Sequence, residues 1–116
     1  MKIAIVGSRG IMIENIGTHI PVCEEIISGG AKGVDACAAE YARKKGIKLT
    51  EILPKYELYG RAAPIIRNKD IVDLADEVIA FWDGQSHGTL SVIKYTQKKK
   101  KPCKIVIMQK ESANKK

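Results

Sequence analysis

The sequence predicts a single α/β domain: a three-layer sandwich on a five-stranded, mostly parallel sheet. Two observations carry that expectation. Five short apolar runs alternate with segments of helical periodicity, and nearly every run meets Gly, Ser-Gly, Pro or Asp-Gly at its end. The chain has 116 residues, 45% hydrophobic and 28% charged, which suits one globular unit that buries its own core. Residues 1–110 are expected to form that unit, and residues 111–116 a flexible basic tail.

The strands read in order. Residues 2–6 (KIAIV) are a β-branched apolar run that stops at Gly7. Residues 24–27 (EEII) stop at Ser28-Gly29-Gly30. Residues 47–53 (IKLTEIL) alternate and stop at Pro54, and residues 77–82 (EVIAFW) stop at Asp83-Gly84. Residues 103–108 (CKIVIM) are the last. The near-continuous apolar runs of the first, fourth and fifth strands predict burial on both faces of the sheet.

Helical patterns fill the gaps. Within residues 33–45, Val34, Cys37, Ala38, Tyr41 and Ala42 fall on one face, and Gly46 after Lys44-Lys45 is a stop signal. Pro64 suits the first turn of a helix that runs to about Ala75. Residues 89–99 form another, closed by Pro102. Residues 11–20 have a weaker helical pattern, shortened by Gly17 and Pro21. Strands alternating with helices make βαβ units, hence a parallel sheet with helices on both faces.

Charge is distributed unevenly. The formal net charge is +7, yet residues 94–116 hold nine Lys and one Glu, or +8. Residues 1–93 hold eleven basic and twelve acidic groups, or −1. A solvated surface is the expected reading of the Lys98, Lys99, Lys100, Lys101 run, with non-specific attraction to nucleic acid as the alternative. Cys23, Cys37 and Cys103 lack metal-ligand or disulfide-framework spacing and are expected to be free thiols, with no metal site. No apolar run is long enough to span a bilayer, and the first residues lack signal-peptide character, so a cytoplasmic protein without membrane contact is expected.

In an open α/β sheet, ligands sit beyond the carboxyl ends of the strands. Three such junctions stand out. Gly7-Ser8-Arg9-Gly10 offers a tight turn, a hydroxyl and a guanidinium, all suited to phosphate. Ser28-Gly29-Gly30 opens toward a helix N-terminus, with Asp35 in its first turn. Asp83-Gly84-Gln85-Ser86-His87-Gly88-Thr89 is a third anion-binding turn, in which Thr89 could equally be a plain helix cap. His87 is a candidate acid or base, or else exposed polar surface. Arg67 and Asn68 precede Ile71 by four and three residues, so they share its inward face one turn nearer the crevice.

Taken together, GSR after the first strand, SGGAKGVDACAAEYA and PIIRNKDIVDLADEVIAFWDGQSHGT resemble the SLOG superfamily. That superfamily groups DprA/Smf DNA-processing proteins with the LOG lysine-decarboxylase-like phosphoribohydrolases. The chain looks most like the small single-domain bacterial YspA-like members, and the similarity runs from Lys2 to about Met108. The resemblance implies a Rossmann-like sheet with a pocket for a nucleotide or ADP-ribose-like ligand. It places Gly7, Ser8 and Arg9 at the phosphate or ribose end, and Ser28, Gly29, Gly30 and Asp35 in a second ligand loop. Arg67, Asn68, Asp83, Ser86, Gly88 and Thr89 would surround the crevice.

A LOG-type hydrolase would use Arg67 as its catalytic arginine. Gly88 and Thr89 match the Gly-Thr of the LOG motif PGGxGTxxE, while its Glu position falls on Val92 and its PGG reads GQS. Loss of that carboxylate favours binding, as in a sensor, over turnover. The alternatives that the resemblance carries are phosphoribohydrolase activity on nucleoside monophosphates and DprA-like single-stranded DNA binding. It also implies a homodimer, since LOG-type relatives form dimers.

Overall fold

The computed structural model describes residues 1–108. The expected tail at 111–116, and the last two residues of the expected domain, lie outside the described residues. The chain forms β1 (Lys2–Gly7), β2 (Glu25–Ser28), α1 (Val34–Lys45), β3 (Lys48–Glu51), α2 (Tyr56–Tyr59), α3 (Ala63–Leu74), β4 (Glu77–Trp82), α4 (His87–Lys98) and β5 (Cys103–Ile107). All four strand pairs are parallel, in the order β3-β2-β1-β4-β5. This is a doubly wound, Rossmann-like α/β sandwich.

Two apolar cores flank the sheet. On one face, Ile3, Ile5, Ile26, Ile79 and Phe81 pack against Val34, Ala38 and Ala42 of α1 and against Ile11, Ile16 and Ile20. On the other, Ala4, Val6, Ile27, Val78 and Ala80 meet Ile71 and Val72 of α3 and Val92 and Ile93 of α4. The period-2 alternation of each inner strand feeds both cores at once, which is why these strands read as unbroken apolar runs. Fully burying a side chain such as Phe81 or Ile79 contributes roughly 1.5–3 kcal/mol.

Three expectations are corrected. Residues 11–20 are not a helix. They are an irregular segment with a turn at residues 14–15 and a 3-10 turn at Ile16–His19, anchored by three buried isoleucines. Gly17 lies against the Tyr41 ring, and Pro21 follows at once, so there is no room for further turns. β5 is not buried on both faces. Among the described residues it is an edge strand with no neighbour on its outer side, and Ile105 and Ile107 are 40% and 64% exposed. Finally, α4 begins at His87 with Ser86 as N-cap, two residues before Thr89.

The remaining helices end as their sequences dictate. Gly46 closes α1 in the left-handed conformation (φ 69°), donating to the Ala42 and Arg43 carbonyls. Pro64 lies in the first turn of α3. Among the described residues no helix is long and apolar enough to cross a membrane. The three cysteines are free thiols, each half-buried.

Candidate functional site

The order β3-β2-β1-β4-β5 reverses direction between β1 and β4. Connections leaving these neighbours go to opposite faces, which opens a crevice beyond their carboxyl ends. A cavity of about 410 Å³ lies there. It is lined from four strand ends, and it brings together Gly7, Ser8, Arg9, Gly29, Gly30, Asp35, Arg67, Asn68, Ser86, Gly88 and Thr89. Eleven of the thirteen residues singled out from sequence thus line one cavity. Its charged lining side chains are Arg9, Arg67 and Asp35, a net charge of +1.

The β1/β4 end is polar. Ser8 and Thr89 are 4% and 5% exposed, and their hydroxyls lie 3.5 Å apart. The Ser86 hydroxyl donates to Thr89 Oγ1, also at 3.5 Å. Ser86 is an extended N-cap residue whose side chain caps no backbone N–H of α4. Ser86, Gly88 and Thr89 line the cavity, so the partially positive start of that twelve-residue helix borders it. A Cβ on Gly88 would meet nothing within 4 Å, so that position faces open space.

The β2 end is braced by two oppositely charged side chains, each bonded to backbone. Arg67 Nη1 donates to the Gly29 carbonyl at 2.8 Å and to the Ile52 carbonyl at 3.3 Å. Its Nε donates to Asn68 Oδ1 at 2.8 Å. One side chain thus ties the loops after β2 and β3 to α3. Asp35 Oδ2 accepts from the Ala31 N–H at 3.1 Å, folding the glycine loop back onto α1. A Cβ on Gly29 would lie 2.7 Å from Arg67 Nη1 and 3.0 Å from Asp35 Oδ2, so only glycine leaves both groups in place. Burial pushes the Asp35 carboxyl up, partly offset by the Ala31 N–H and by Arg67. Burial also lowers Arg67, with Asp35 opposing it.

Two of the thirteen residues brace loops instead of lining the cavity. Ser28 is fully buried, and its hydroxyl accepts from the Gly30 N–H at 3.5 Å. Asp83 Oδ1 accepts from the N–H groups of Gln85 and Ser86 at 2.9 and 2.7 Å and so shapes the turn into α4. His87 is exposed and outside the lining. Val92, where the resemblance expects a glutamate, contributes an apolar patch of cavity wall and is 4% exposed.

Sequence reasoning missed Leu53, Pro54 and Tyr56 on the cavity rim. The rule that directs attention to strand ends also covers the end of β3, where Pro54 marks the junction. No glycine pair or hydroxyl drew notice there. Among the described residues no cluster of three or more His, Cys, Asp or Glu could hold a metal ion.

No family model matches the chain, and neither a curated protein nor a solved structure matches it.

Proposed function

We propose that the crevice binds a phosphorylated, nucleotide-derived ligand, a nucleotide or an ADP-ribose-like molecule, and that the protein acts as a binding or sensor module of SLOG type. One observation carries this reading. The buried Ser8 and Thr89 hydroxyls, the uncapped start of α4 and Arg9 converge on one cavity at the sheet's switch point. That set offers neutral donors, a helix dipole and a positive charge to a phosphate. Asp35 and Asn68 also line the cavity and would offer ribose hydroxyls an acceptor and an amide. The lining holds a single carboxylate, Asp35, one oxygen of which accepts from the Ala31 N–H, and Val92 offers no acid or base. This supports binding without turnover.

The test is a thermal-shift panel of AMP, ADP, NAD, ADP-ribose, ribose 5-phosphate and oligo-dT. A ligand at 100 times its Kd adds about 2.7 kcal/mol, which raises Tm by roughly 10 °C or more for a domain of this size. Stabilisation by a nucleotide or ADP-ribose, lost in Arg9→Ala, is expected. Arg9 is exposed, so this variant keeps the fold. Stabilisation by oligo-dT alone, abolished by neutralising Lys98, Lys99 and Lys100, would move the function to the basic surface.

A further inference from the structure

We propose that Tyr56, carried on the short helix α2, is the platform on which the base of the ligand stacks, and that the site accepts nucleoside 5′-monophosphates with little regard to base identity. This rests on the nucleotide reading above and assigns its far end.

The lining spans the carboxyl ends of β3, β2, β1 and β4. Neighbouring strands are 4.7–4.9 Å apart, so the residues after β3 lie about 14 Å from those after β4. That is the long dimension of one nucleotide, not of a bare phosphate. The two ends also differ in chemistry. The β1/β4 end carries Ser8, Ser86 and Thr89. The β3 end carries Leu53, Pro54, Tyr56 and Pro64.

At that apolar end large side chains are left uncovered. Leu53 is 58% exposed and Tyr56 is 60% exposed, although both border the cavity. α2 contains no buried residue, so core packing does not account for its aromatic ring at the rim. A flat apolar face beside a polar phosphate cradle fits a heteroaromatic ring, which gains by offset stacking on tyrosine.

Base identity would be read by hydrogen bonds to the ring edge, and this end offers few. Leu53, Pro54 and Pro64 have no polar side-chain atom. Of the Arg67 donors, Nε and Nη1 are already held by Asn68, Gly29 and Ile52. Stacking without edge contacts tolerates any base, because every base presents a π-face.

The experiment is isothermal titration of AMP, UMP and ribose 5-phosphate into wild type, Tyr56→Ala and Tyr56→Phe. AMP and UMP are expected to bind within about tenfold of each other, and each at least about tenfold more tightly than ribose 5-phosphate. Tyr56→Ala should weaken both nucleotides by roughly tenfold and leave ribose 5-phosphate unchanged, while Tyr56→Phe retains wild-type affinity. An unchanged melting curve for Tyr56→Ala would accompany this, since α2 contains no buried residue. Ribose 5-phosphate binding as tightly as AMP, equal losses of all three ligands in Tyr56→Ala, or binding of only one base would overturn the platform and leave the phosphate end standing. If none of the three binds wild type while ADP-ribose or NAD still stabilises it, the monophosphate platform fails alone; if those too have no effect, the nucleotide reading fails with it.

Discussion

Asp35 holds the most informative charge in the cavity. Its carboxyl is buried beside a backbone donor and across Gly29 from a guanidinium, and burial is the largest influence on it, raising its pKa above the ordinary 3.8. A raised acid binds its proton more tightly in the folded chain than in the unfolded one. Its contribution to stability is therefore most favourable below 3.8 and declines as pH rises through the raised folded value. Asp35→Asn keeps an acceptor for Ala31 and removes the buried charge. Urea unfolding between about pH 4 and pH 7 should show a smaller loss of stability with rising pH in the variant than in wild type, and a variant at least as stable at neutral pH. Parallel profiles would mean that the carboxylate is well solvated or fully paired. At this scale the inward placement of Arg67 and Asn68 was legible from their spacing to Ile71. The bracing role of Arg67 was not, because its carbonyl partners lie 38 and 15 residues away in sequence.

Among the elements, α3 has an unusual ending. It has no basic residue in its own last turn. Instead Lys101 reaches across, and its Nζ donates to the carbonyls of Val72, Asp73 and Ala75 at 2.8, 2.9 and 2.7 Å. A cation at a helix C-terminus satisfies exposed carbonyls and complements the dipole. Lys99 has a different partner, the Tyr95 ring, with its Nζ 5.5 Å from the ring centroid. The lysine run is therefore not uniform, and no sequence pattern separates its members. Lys101→Met should cost about 1–2 kcal/mol in chemical denaturation, allowing for partial exposure. Lys98→Met should stay within about 0.5 kcal/mol. Equal, small effects would mean that water caps α3 just as well. The long helices were legible from their apolar faces, and the strands from short β-branched or apolar runs, most of which stop at Gly, Ser-Gly, Pro or Asp-Gly. α2 was not, since a single exposed turn has no face to reveal. The segment at 11–20 misled because Ile16 and Ile20, four residues apart, share a helical spacing over a single 3-10 turn.

At the scale of the whole molecule, sheet order decides where chemistry can occur. The alternation of strands and helices indicated a doubly wound sheet, but not which strands sit at its edges. An apolar run such as that of β5 reads the same in the centre as at a partly covered edge. The connection from β3 back across to β4 places four loop-bearing strand ends around one crevice. Residues far apart in sequence, from Gly7 to Thr89, meet there only because of that crossing. The charge of the chain is laid out separately: residues 1–93 carry −1, and the basic excess lies after them. Crevice and basic segment are thus alternative surfaces for an anionic partner, and they are distinguishable by location. The most direct measurement is an amide chemical-shift titration of isotope-labelled protein with AMP. Saturable shifts should cluster at Gly7, Ser8 and Arg9, at Gly29 and Gly30, and at Ser86, Gly88 and Thr89, with Lys98 to Lys101 unmoved. Shifts confined to the lysine run, or none at all, would contradict a nucleotide site at the switch point of the sheet.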